Sequence, residues 1–128
     1  MTTFRQLVGN FYKSKEAEQN SSLDMWFESV LDVPIDSLAL KDLCRAIRQK
    51  VYVNQLIPRA LSVLTEDPLA GEYYDGELVA ALSTLDNDDL ASSKEAFIKI
   101  KNIIDSIDVT ELNEKMRIDI TKIKLMIP

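Results

Sequence analysis

A chain of 128 residues with 46% apolar and 28% charged side chains, four prolines and three glycines has the composition of a soluble globular protein rather than a disordered one. It contains no histidine and one cysteine, Cys44, which excludes a Ser-His-Asp or Cys-His nucleophile, an intrachain disulfide and a thiolate zinc site. The net charge of −6 is uneven: Ala60 to Ser93 holds eight carboxylates and no Lys or Arg, leaving the rest at +2, a field that opposes nucleic acid and suits a basic protein surface.

In chain order, Phe4, Leu7, Val8 and Phe11 fall on one stripe of a short amphipathic helix. The polar stretch that follows predicts a flexible connector over residues 13–22. Ser22 is placed to cap a helix carrying Leu23, Trp26, Phe27 and Val30 on one face, and Pro34 closes it. The start has no signal-peptide pattern, and no apolar run reaches the roughly 18 residues of a spanning helix, so the chain is expected to stay in the cytosol.

The stretch from Leu40 to Asp67 carries two offset stripes: Leu40, Leu43, Cys44 and Ile47, then Leu56, Ile57, Ala60, Leu61 and Leu64. Two helices broken near Gln49 to Tyr52 explain the offset, with a kink expected at Pro58. After the loop "PLAGEYYDGEL", Pro68 to Leu78, Asp75 is the expected cap of a helix on Leu78, Val79 and Leu82. Ser92 and Glu95 have capping-box spacing and open a helix with Phe97, Ile100, Ile103, Ile104 and Ile107 inward. Thr110 is the expected cap of a last helix presenting Leu112, Met116, Ile120, Ile123 and Ile127. No segment alternates long enough for a strand. The expectation is an all-α chain, one compact domain over 1–128 of about six to seven helices, ending in an antiparallel helical hairpin.

Candidate chemistry is sparse. "DNDD" lacks the glycine at the sixth position and the glutamate at the twelfth that an EF-hand needs, so no metal is expected. Gly71 and Gly76 are not followed by Lys-Ser or Lys-Thr and stand among carboxylates, which rules against a phosphate cradle. Paired acids alone do not make a glycosidase without aromatic lining for a sugar. Arg45, Arg48 and Lys50 read as a solvated helix face, with Asp42 placed to pair with Arg45. Cys44, Trp26 and Phe27 read as core. No enzyme and no cofactor are expected.

The pieces "L-x-x-x-D-L" at Leu38 to Leu43, "R-Q" at Arg48 and Gln49, "L-I-P-x-A-L" at Leu56 to Leu61 and "D-P-L-A-G-E-Y-Y-D-G-E-L" at Asp67 to Leu78, in that order, resemble the immunity proteins of bacterial contact-dependent growth inhibition systems. Ala39 departs from the pattern, which has a hydroxyl residue able to cap the helix there. The resemblance implies a cytoplasmic bacterial protein that binds the C-terminal domain of a cognate toxin and shields the producing cell. Many such toxins are nucleases, often acting on tRNA, so the implied partner is basic. One toxin molecule per cell is a concentration on the order of 1 nM, so protection needs roughly −12 kcal/mol or stronger.

The acidic middle segment then supplies the expected toxin-binding residues: Glu66, Asp67, Glu72, Tyr73, Tyr74, Asp75, Glu77, Asp86, Asp88 and Asp89. Negative charge steers the encounter and desolvated tyrosines anchor it. Whether Tyr73 and Tyr74 are interface or a structural corner stays open at this level. The alternative reading is an all-α acidic adaptor docking on a basic protein unrelated to toxins.

Overall fold

The computed structural model describes residues 2–8, 22–108, 110 and 112–126, apart from the side chains of Ser22, Leu23 and Asp24. Among them are seven α-helices and no strand: α1 (Phe4–Val8), α2 (Ser22–Val30), α3 (Leu40–Arg48), α4 (Val53–Glu66), α5 (Glu77–Leu82), α6 (Lys94–Asp105) and α7 (Glu114–Lys124), with a 3-10 turn at Ile35–Ser37. The all-α expectation holds. The connector expected over 13–22 lies outside the described residues except for Ser22, which is the first helical residue of α2; Phe11 and Ile127 also lie outside.

Contacts divide the chain into two compact units, Met1–Leu38 and Ala39–Pro128. In the first, Phe4 is buried and its ring stands 5.3 Å from that of Phe27, tilted by 45°. Arg5 donates to both oxygens of Asp32, from Nε at 2.6 Å and from Nη2 at 3.1 Å, and this charge-assisted pair holds the Asp32 carboxyl below its usual range. Trp26 is buried, as expected of a core residue.

The second unit is a ring of helices: α3 touches α4 and α5, α6 touches α4 and α7, and α5 touches α7. Leu43 and Ile47 of α3, Leu56, Ile57, Ala60 and Leu64 of α4, and Phe97, Ile100 and Ile104 of α6 are all fully buried, the inward stripes that 3.6-residue periodicity predicts. Cys44 joins them, and burial, reinforced by the nearby Glu77 carboxylate and opposed by Arg48, pushes its thiol up to about 12.

The break between α3 and α4 falls at Gln49–Tyr52, as the offset stripes require. Val51 N–H donates to Ala46 O and Lys50 N–H to Ile47 O, both at 3.0 Å, with Lys50 at φ 57°. This is a Schellman end with lysine where glycine is usual. α4 runs through Pro58 without interruption. Pro58 has no N–H for the Asn54 carbonyl, and the buried Ser93 hydroxyl stands 3.3 Å from that oxygen and 2.6 Å from Asn54 Oδ1.

That bond explains one of the three misplaced caps in the second unit. α6 starts at Lys94 after Ser93, whose hydroxyl is committed to α4, so the box expected on Ser92 does not form. α7 is capped by Asn113, whose side chain accepts from Met116 N at 2.8 Å, while Thr110 turns to Asp108. α5 follows Gly76 rather than an Asp75 cap. The last two helices pack together, but Lys124 pairs with Asp105 at 3.4 Å and Lys101 donates to Met126 O at 2.6 Å. The end of α7 therefore lies beside the last turns of α6, because α7 also packs on α5: Met116 meets Gly76, and Asp119 meets Ser83 at 3.2 Å.

Candidate functional site

The loop from Pro68 to Leu78 joins α4 to α5 and is folded around one carboxylate. Glu77, only 3% exposed, accepts the backbone N–H groups of Glu72 at 2.8 Å and Tyr73 at 3.1 Å on Oε1, while its Oε2 stands 3.6 Å from Arg48 Nη1. Arg48 Nη2 in turn donates to the Tyr74 hydroxyl at 3.0 Å. The loop ends are pinned by Gly76 N–H to Leu69 O at 2.9 Å and Leu78 N–H to Ala70 O at 3.1 Å. At Gly71 a Cβ would fall on the Tyr74 carbonyl oxygen and within 2.9 Å of Glu77 Cβ, so only glycine lets the chain fold this tightly. Gly76 has φ +85° and lies against the Met116 side chain.

The second acidic stretch folds by a reciprocal arrangement. Asp86 N–H donates to Asp89 Oδ2 and Asp89 N–H to Asp86 Oδ1, both at 3.0 Å, and Lys50 Nζ reaches Asp89 at 3.0 Å and Asp86 at 3.8 Å. Partial burial pushes the Asp89 carboxyl up, but the Asp86 amide and the Lys50 ammonium outweigh it and hold it below the usual range. The hydrogen bond to Asp89 likewise raises Lys50.

Arg48 and Lys50, two residues apart at the end of α3, thus bring both acidic stretches to the same end of that helix. The expected site residues separate into two sets. Glu77 is turned inward, and the half-buried Asp89 and the still exposed Asp86 hold their own turn and Lys50. Glu66, Asp67, Glu72, Tyr73, Tyr74, Asp75 and Asp88 are exposed, with Tyr73 at 74% and Tyr74 at 52%. Glu66 and Asp67 border a groove of about 650 Å³ along α4, also lined by Leu40, Arg59, Ser62 and Val63. Read along the chain alone, Arg48 and Lys50 belonged to a solvated face; their role depends on partners 26 to 39 positions away. Among the described residues, no three His, Cys, Asp or Glu side chains are grouped to hold a metal ion.

Residues 8–100 match the family model of CDI immunity proteins, a span that contains this whole surface. The chain belongs to that family. No curated protein matches it. As a CDI immunity protein it has the neutralisation of a cognate toxin as its role, and that toxin as its partner. Among the described residues, no helix of this immunity protein is long and apolar enough to cross a membrane. The family match ends within α6, so α7, which closes the helical ring against α5, lies beyond it.

Proposed function

We infer that this immunity protein neutralises a basic nuclease toxin in the cytoplasm by stoichiometric occlusion, with no chemistry of its own. The observation that carries this reading is the display of two exposed tyrosines among outward carboxylates, on the segment that the family match covers. A nuclease must present positive charge to a polyphosphate, and an acidic inhibitor occupies the same field. Glu66, Asp67, Glu72, Asp75 and Asp88 supply the steering charge, while the tyrosine surface supplies area that desolvates on contact.

The test is co-expression with the toxin domain encoded beside this chain, followed by co-purification and growth rescue. A variant with Glu66→Lys, Glu72→Lys, Asp75→Lys and Asp88→Lys leaves Glu77, Asp86 and Asp89 in place, so the fold is retained. It is expected to lose rescue, and association of the parent is expected to slow steeply with added salt. Full rescue by the charge-reversed variant would sink the acidic-occlusion reading.

A further inference from the structure

The two adjacent tyrosines differ in what holds them. Tyr74 is half exposed and its hydroxyl is tied to Arg48, which also faces the buried Glu77 carboxylate. Tyr73 has its backbone N–H fixed on the same carboxylate, while the residue as a whole is 74% exposed. One internal anion therefore sets both the backbone direction at Tyr73 and, through Arg48, the ring position of Tyr74. An aromatic ring held out in water by a fixed backbone buries a large area on contact and loses little chain entropy in doing so.

We propose that Tyr73 is the side chain inserted into the partner, and that Glu77, Arg48 and Tyr74 form a positioning relay that holds the loop in its binding shape before the partner arrives. This rests on the toxin-binding reading above, and the occupant is an apolar pocket rimmed by basic residues on the toxin domain. Charge complementarity argues for that rim: Glu72 and Asp75 flank the tyrosine pair, and both are exposed. Arg48 and Glu77 touch no partner in this arrangement. They act through Tyr73, and Tyr74 does so by keeping Arg48 in place.

The experiment measures binding of the full chain to the cognate toxin domain by titration calorimetry, with thermal melts of each variant alone. Tyr73→Ala is expected to weaken binding about 100-fold with an unchanged melt. Arg48→Gln is expected to weaken it about 10-fold in the parent and to have little effect in the Tyr73→Ala background, because its action runs through that ring. Tyr74→Phe, which removes only the hydroxyl, is expected to reproduce part of the Arg48→Gln loss and to add nothing to it. Amide exchange at Glu72 and Tyr73 in the free protein is expected to rise in Arg48→Gln, a readout independent of the toxin.

Binding of Tyr73→Ala within threefold of the parent would overturn the anchor. Equal costs of Arg48→Gln in both backgrounds, or unchanged exchange at Glu72 and Tyr73, would overturn the relay. Failure of the parent itself to bind the toxin would sink the functional reading and the anchor with it; binding by the parent with Tyr73→Ala unimpaired would sink the anchor alone.

Discussion

Glu77 receives two backbone N–H groups and faces a guanidinium, and hydrogen bonds to a charged group are each worth about 1.5–3 kcal/mol. Because Arg48 remains partly in water when its partner is lost, Glu77→Ala is expected to cost about 2–4 kcal/mol rather than the full penalty of a stranded buried charge. Urea unfolding would measure it. Gly71→Ala is expected to cost at least about 2 kcal/mol in the same experiment, since the obstructing atom is backbone and cannot turn aside. Cys44 offers a check on the core. With its thiol pushed up to about 12 by burial, it should stay inert to a thiol reagent at pH 8 while the protein is folded and react as one equivalent in denaturant. Its raised value also means that its neutral form favours the fold below the ordinary thiol range, a contribution lost as pH climbs towards 12.

At the scale of elements, helix ends were less legible in the sequence than helix bodies. The stripes of α3, α4 and α6 follow from spacing alone, and the break at Gln49–Tyr52 from the offset between two of them. The caps of α6 and α7 did not: Ser92 and Ser93 are chemically alike and the choice was made by Asn54, whose side chain and Pro58-freed carbonyl both face the Ser93 hydroxyl, while Asn113 takes the amide of Met116 in α7. Asp119 falls on the inward stripe of α7 and is buried there against Ser83 and Lys115, a polar core position that an apolar count passes over. Two outcomes test the observed ends. Asn113→Ala should destabilise by about 1 kcal/mol and Thr110→Ala by less, in parallel thermal melts. Ala39, which begins α3 with no side-chain bond to the free amides, should gain about 0.5–1 kcal/mol on replacement by Ser.

Across the whole molecule, electrostatics set a stability window. The Asp89 carboxyl is held below its unfolded value, so its contribution is present above the ordinary carboxylate range and is lost as pH falls through the depressed value. Lys50 is raised, so its contribution is present below the ordinary lysine range and is lost as pH rises through the raised value. Replacing either partner, by Asp89→Asn or Lys50→Gln, should flatten the stability profile at its own end of the pH scale, as equilibrium unfolding across pH would show. The acidic character of the surface was legible from residue counts. Its outward share was not, because Glu77 is folded inside the loop and Asp89 is half-buried against Lys50, while Asp86 stays exposed.

The inward carboxylate also separates two tasks that one short segment would otherwise have to share. Since Glu77, Gly71 and Gly76 keep the corner closed from within, the outward-pointing side chains of Glu72, Tyr73 and Asp75 can be exchanged without unfolding it. Such a corner is a self-supporting mount, whose outer face can change in charge and bulk while the scaffold beneath it stays the same.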